Sequence, residues 1–349
     1  MSRVKNIIRK NLIGFKPYSS ARNEYSGSKG VFLDANENSL GSVSKETLNR
    51  YPDPQQKRLK KAIGSLKNTA PQNIFIGNGS DEAIDLLFRA FCEPRIDHTI
   101  IMPPTYGMYE VCARLNDITI DNVPLKSDFE IDIEKVISIT DERSKLIFVC
   151  SPNNPTANVF RREDIVTLLN NYPGLVVVDE AYIDFSSQKS WLNEIEQYDN
   201  LVVLQTFSKA WGMANVRIGM AYAQKEIIDV LSAIKYPYNI NGITQQVVLE
   251  ALQNIQKKDK MVAEILKQRQ IIMNALNSLK MVIEVFPSET NFILARFRNA
   301  RRVYETLVKQ NVIIRDRSKL PNCDGCLRIT VGKPQENETL ISLLEEMDQ

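Results

Sequence analysis

Five short apolar runs, each emptying into polar or glycine-rich residues, constrain this chain more than any other feature. They read NIFIG (73–77), TIIM (99–102), KLIFVC (145–150), LVVVD (175–179) and LVVLQ (201–205). Near-continuous runs of this length, rich in β-branched residues, suit strands buried on both faces, as in a mainly parallel sheet covered by helices. Helical patterns lie between them. Asp81 to Phe91 carries Ile84, Leu87, Phe88 and Phe91 on one stripe, and Arg162 to Asn170 is a second candidate. The alternation predicts an α/β fold.

Around residue 245 the rhythm changes. Gln245 to Leu279 spaces its apolar residues as one long helix or two in sequence. Strand candidates follow at 281–286, 292–297, 312–315 and 326–331, with a helix at about 300–310 and another after Pro334. We therefore expect an N-terminal arm (1–30), a large α/β domain (31–245) and a smaller α+β C-terminal domain (246–349). The start, MSRVKNIIRKNLIGFKPYSS, is basic with apolar positions at helical spacing. Both a transit peptide and a docked amphipathic arm have that pattern; the docked arm is the expectation here.

Charge excludes several functions. With 44 basic and 42 acidic side chains, nothing global points to nucleic acid or a membrane surface. No long apolar span is present, so a soluble, cytoplasmic protein is expected. Five cysteines in 349 residues do not make a disulfide framework. Cys323 and Cys326 surround a turn signal and lead into a strand, which suits neither a zinc ribbon nor a redox helix, so no metal is expected. The single histidine, His98, opens an apolar run. Acid–base work must then fall to lysine, tyrosine or carboxylates, a limit that favours a cofactor.

Ligands of open parallel sheets bind beyond the carboxyl ends of the strands. There the sequence places GNGSDE (77–82), PPTYGMY (103–109), SPNNPT (151–156), DEAY (179–182) and TFSK (206–209). Any one of these is ordinary loop composition; five on one edge form a site. Pyridoxal phosphate needs a lysine for its aldehyde, an acid beside its ring nitrogen and donors for its phosphate. Lys209 and Asp179 supply the first two. Gly79, Ser80 and Asp81 open a helix whose free N–H groups favour an anion. Ser208 and Arg217 add a hydroxyl and a guanidinium. Trp211 and Met213 are assigned to packing.

The motifs GSDEAIDLLFRAFCEP, PPTYGMY, CSPNNPT, VVVDEAYIDF, TFSKAWGMANVRIG, SETNFILARF and GCLRITVG, together with DANEN and RYPDPQ, resemble those of fold-type-I aminotransferases. The resemblance is closest to the histidinol-phosphate aminotransferases and runs over nearly the whole chain. It implies that Lys209 is the cofactor lysine, Asp179 the ring-nitrogen partner, and Asn154 and Tyr182 the partners of the ring hydroxyl. Tyr106 would stack on the ring, and Ser80, Asp81, Thr206, Ser208 and Arg217 would surround its phosphate. Tyr51 would reach the neighbouring subunit's cofactor, implying a homodimer. Tyr18, Tyr238, Arg315 and Arg328 match positions that bind the substrate's phosphate end.

The activity implied is transamination between histidinol phosphate or imidazole-acetol phosphate and 2-oxoglutarate or glutamate, in histidine biosynthesis. Aromatic amino-acid transamination and decarboxylation of an amino-acid phosphate are the alternatives on the same fold. A non-catalytic regulator would carry a DNA-binding segment, and no helix-turn-helix pattern precedes DANEN. One departure from the family pattern is Ala157, where NPTG is usual. If that position needs a positive φ, alanine costs roughly a kcal/mol or more.

Overall fold

The structure, a computed structural model, describes residues 3–19 and 30–349. Residues 1, 2 and 20–29, which belong to the expected arm, lie outside the described residues. Seven strands form the larger sheet in the order β1-β7-β6-β5-β4-β2-β3. They are β1 (Ile74–Asn78), β2 (His98–Ile101), β3 (Thr119–Asn122), β4 (Ser144–Cys150), β5 (Leu175–Asp179), β6 (Leu201–Thr206) and β7 (Ile218–Ala223). Only β7 runs against the others, so six strands send their carboxyl ends to one edge.

The apolar runs lack a polar alternation because both faces are covered. Ile74, Ile147, Val149, Val176, Val178 and Val203 face one core layer, with helices Lys57–Lys67 and Arg162–Asn171 packed on it. Phe75, Phe148, Val177, Val202 and Leu204 face the other, under helices Ser80–Phe91 and Lys225–Ile234. Residues 3–12 also dock on this second layer. Val4 and Ile7 are buried there, and Arg9 pairs with Glu93 at 3.2 Å while its N–H reaches the Ala90 carbonyl.

A second, antiparallel sheet has the order β10-β11-β9-β8. Its strands are β8 (Val282–Val285), β9 (Phe292–Phe297), β10 (Arg315–Asp316) and β11 (Cys326–Thr330). One face, including Ile293, Ala295, Leu327 and Ile329, packs on helices Ile255–Ser278, Ala300–Lys309 and Pro334–Asp348. Residues of the opposite face join cores with the large sheet. Leu294 and Cys326 pack with the layer that holds Ile147 and Val176, and Phe292 meets the Tyr182 ring edge-on at 5.1 Å. Strand alternation therefore turns Arg328, between Leu327 and Ile329, toward the large sheet.

Sequence periodicity and structure differ at three places. The expected strand 312–315 is only Arg315–Asp316, because the short ribbon pairs just where it opposes β11. β3 (TIDN) is a half-exposed edge strand without an apolar run, and β7 (IGMAYA) is diluted by small residues. Neither carries the pattern that marks its neighbours. The long helical stretch agrees with the second of its two readings: it is two helices in sequence, Gly242–Ala251 and Ile255–Ser278, joined by a 3₁₀ turn.

Ala157 has φ 67° and is fully buried. Left-handed backbone costs an alanine about 1–2 kcal/mol. Its methyl, packed with Tyr182, Phe185 and Phe292, recovers about 0.8 kcal/mol by burial. Glycine would also lose about 0.4–1 kcal/mol to a freer unfolded chain. These contributions nearly cancel, which explains how the substitution persists. We expect Ala157→Gly to change unfolding free energy by less than about 1 kcal/mol. Ala157→Val, β-branched at positive φ and without room, should lose more than about 2 kcal/mol. Urea unfolding of both variants measures this; a well-tolerated valine would contradict it.

Candidate active site

A cleft of about 570 Å³ opens at the carboxyl edge of the large sheet, between it and the β10–β11 ribbon. At its floor is Asp179, the last residue of β5 and only 2 % exposed. Tyr109 donates its hydroxyl to Asp179 Oδ2 at 2.7 Å, and the Ala181 N–H donates to Oδ1 at 3.0 Å. Burial pushes the Asp179 carboxyl up, and these two hydrogen bonds only partly oppose it. The next residue, Glu180, is also buried but engages Ser190, Trp191 and Gln205 outside the cleft.

Lys209 lies in the turn after β6, with Nζ 5.4 Å from the centroid of the Tyr182 ring. Burial, and then the nearby Arg328 charge, lowers its proton affinity; Asp179 opposes that shift. The site thus holds an acid pushed up and an amine pushed down. Groups perturbed by burial and a specific charge partner, set in a cleft, cluster at functional sites.

The far end of the cleft gathers hydrogen-bond donors. Helix Ser80–Phe91 begins there, aiming unpaired N–H groups outward. β7 crosses directly beneath: the Gly79 N–H donates to the Arg217 carbonyl at 2.8 Å. A Cβ at Gly219 would fall on the Ser80 nitrogen and the Gly79 carbonyl carbon, so only glycine lets β7 pass. Arg217 itself is left-handed, φ 54°. That turn brings its guanidinium to Asp81 Oδ2 at 3.3 Å and Ser208 Oγ at 3.5 Å. Tyr106 donates to the other Asp81 oxygen at 3.0 Å. The Asp81 carboxylate therefore holds Arg217 and Tyr106 in place, and the backbone N–H groups and side-chain donors are what an anion meets.

Comparison with known proteins adds the family. The family model described as aminotransferase class I and II matches residues 21–344. The chain belongs to that family. The histidinol-phosphate aminotransferase of Cytophaga hutchinsonii is 52% identical over 97% of this chain and 98% of its own length. That of Bacteroides fragilis is 48% identical over 99% of both. Within the class I and II aminotransferases, the chain groups with the histidinol-phosphate aminotransferases. Among solved structures, the histidinol-phosphate aminotransferase of Clostridium acetobutylicum superposes with TM-score 0.80 at 25% identity, covering 86% of this chain and 91% of that one. The Sinorhizobium meliloti protein, solved in complex with pyridoxal-5'-phosphate, gives 0.78 at 21% identity over 97% and 96%, a likeness of fold.

Against this aminotransferase frame, the cleft brings together most residues singled out from sequence. Ser80, Asp81, Tyr106, Asn154, Asp179 and Tyr182 line it, as do Thr206, Ser208, Lys209, Arg217, Arg315 and Arg328. Arg328 Nη1 donates to Asn154 Oδ1, linking the small sheet to the NPT loop. Tyr18, Tyr51 and Tyr238 do not line it. Tyr18 is 73 % exposed, and Tyr51 stacks on Tyr238 at 4.5 Å. His98 lies instead at the amino edge of the sheet, with Nε2 2.8 Å from Asp141. Cys323 and Cys326, the latter the first residue of β11, are buried in the core, and Trp211 packs on Phe207.

Sequence reading missed two residues. Tyr109 is fully buried, stacked on Phe148 at 4.5 Å and bonded to Asp179. Its spacing of three from Tyr106, across a helix start, was the available signal. Arg317 lines the same cleft as Arg315, and the strand period of two in RDR could have found it.

Because Asp179 titrates higher folded than unfolded, its ionised form opposes folding of the cofactor-free protein at neutral pH. That penalty fades as pH falls through the raised folded value. Asp179→Asn should therefore leave the cofactor-free protein at least as stable as the wild type at pH 7. The advantage should shrink on acidification. Thermal unfolding at pH 5 and pH 7 tests the sign; a variant less stable at pH 7 would refute it.

Proposed function

We propose that the cleft binds pyridoxal 5'-phosphate and transfers amino groups between histidinol phosphate or imidazole-acetol phosphate and glutamate or 2-oxoglutarate. The observation that carries this reading is the meeting, in one cleft, of a buried carboxylate, an amine of lowered proton affinity and an anion cradle. The donor set fits the cofactor: Gly79, with no Cβ, lets the Arg217 guanidinium come close beside the helix start, and Ser80, Thr206, Ser208 and Arg217 offer donors where its phosphate would sit. Asp179 is positioned for the ring nitrogen, Asn154 and Tyr182 for the ring hydroxyl, and Tyr106 for the ring face.

When bound, pyridoxal phosphate supplies an electron-accepting ring that makes the carbon bearing the substrate's amino group acidic. The chain supplies the rest. Lys209, whose proton affinity is lowered by burial and by Arg328, would take the proton from that carbon and later return one. Asp179, held by the Tyr109 hydroxyl and the Ala181 N–H, would accept from the cofactor's ring nitrogen and favour its protonated form. Arg315 and Arg328, opposite each other across the β10–β11 pair, face the cleft as a guanidinium clamp for the anionic end of the substrate.

Tyr51 and Tyr238 stack on each other outside this chain's own cleft, and the resemblance assigns Tyr51 to the neighbouring subunit's cofactor. Exposed Leu48 and Ile243 line a groove with Tyr51, and Leu33, Leu40 and Val43 are exposed as well. We therefore propose a homodimer with shared sites. Five free, buried cysteines accord with a reducing cytoplasm.

Borohydride reduction of the holoenzyme followed by peptide mapping should label Lys209. Lys209→Ala should slow the half-reaction with histidinol phosphate by about 10²–10⁴-fold. Initial rates with histidinol phosphate, phenylalanine and phosphothreonine should favour the first. Absence of label on Lys209, with no spectral change on adding histidinol phosphate, would end the proposal. Preference for phenylalanine would move the substrate to aromatic amino acids, and carbon dioxide release from phosphothreonine would move the reaction to decarboxylation.

A further inference from the structure

Arg317 stands two residues beyond Arg315, so both side chains leave the ribbon on one face. The Arg317 N–H donates to the Cys326 carbonyl at 2.9 Å, extending the pairing in which Arg315 opposes Arg328. Three guanidiniums, Arg315, Arg317 and Arg328, consequently line one wall of the cleft. Among the described residues none of them has a carboxylate within ion-pair distance, although other arginines of the chain, such as Arg9, Arg161 and Arg162, do. The Nε atoms of Arg317 and Arg328 are buried without a hydrogen-bond partner. Burial and the mutual repulsion of these arginines lower the proton affinity of Arg317 and Arg328, yet a guanidinium remains charged. Like charges held together, partly desolvated and unpaired, are costly until an anion enters.

Two arginines suffice for a carboxylate, which carries one negative charge and two acceptor oxygens. A phosphate monoester carries nearly two charges at pH 7 and three acceptor oxygens. We propose that Arg317 is a specificity-determining residue, the third guanidinium that makes this wall select a dianionic phosphate monoester over a carboxylate or an uncharged hydroxymethyl end. The assignment rests on the histidinol-phosphate reading for the identity of the substrate, but the anion site itself is a property of the ribbon.

The test compares wild type with Arg317→Gln in two ways. The first is the ratio of kcat/KM for histidinol phosphate to that for unphosphorylated histidinol. It should fall about tenfold or more, through KM, with Arg317→Lys between the two because a lysine cannot bind in bidentate fashion. The second is calorimetric binding of the amine-free ester 2-(imidazol-4-yl)ethyl phosphate to the holoenzyme from pH 5.5 to 7.5. Wild-type affinity should rise as the ester gains its second charge near pH ~6, and Arg317→Gln should flatten that rise. Should the glutamine variant not fold, the lysine variant serves both comparisons.

An unchanged ratio together with an unchanged pH profile overturns the role of Arg317 while leaving the histidinol-phosphate reading intact. A wild type indifferent to donor phosphorylation, but binding the ester through Arg317, supports the dianion site and overturns that reading. A merely structural arginine would weaken both donors equally and leave the ratio where it was.

Discussion

A carboxylate buried at the end of the central strand of a seven-stranded sheet is the constraint on which the rest of this structure depends. Asp179 is almost wholly removed from water, and an isolated buried carboxylate is expensive. The fold surrounds it with two donors, the Tyr109 hydroxyl and the Ala181 N–H, and leaves the remaining side open to the cleft. Tyr109 is in turn fixed by stacking on Phe148, and Phe148 belongs to the same core layer as helix Ser80–Phe91. Tyr109, Phe148 and the helix that begins at Ser80 are thus parts of one packed layer, and Tyr109 ties Asp179 to it.

The other side of the site comes from elsewhere in the chain. β7 brings Arg217 and Gly219 under the turn after β1, an approach only glycine allows at 219. The small sheet turns its Arg328 toward the NPT loop, where Asn154 accepts from it. Its opposite face is committed to helices, so alternation along β11 decides which side chains can reach the cleft. Arginine placement on this ribbon is a consequence of burial on the far side: Leu327 and Ile329 anchor one face and Arg328 has only the other.

Much of this was legible beforehand. The five apolar runs marked five of the seven strands, because a strand covered on both faces has no polar alternation to hide it. The loops after them marked the cleft, because parallel strands deliver their carboxyl ends to one edge. Lys209 and Asp179 were placed in the cleft for that reason; Arg217, which precedes the antiparallel β7, was singled out by its spacing of eight from Lys209. β3 and β7 were not legible: the first is a polar edge strand, and the second is diluted by glycine and alanine that its close crossing demands. Ala157 was flagged as a departure on the condition that the position has positive φ, which it does. The buried pocket that receives its methyl could not be read from the residue alone.

The sequence by itself determined the α/β class, the residue types of the site and the edge on which they gather, since hydrophobic period and strand-end chemistry are local properties. Only the tertiary structure decided which polar groups face one another. Asp81 could have met an anion directly and instead binds Arg217 and Tyr106; Tyr109 rather than solvent holds Asp179; Tyr51 and Tyr238 stack outside the cleft of their own chain. The three arginines of the β10–β11 ribbon became one wall through pairing between strands ten or more residues apart. Such encounters depend on packing across elements, and no local pattern encodes the distance or direction at which two distant side chains meet.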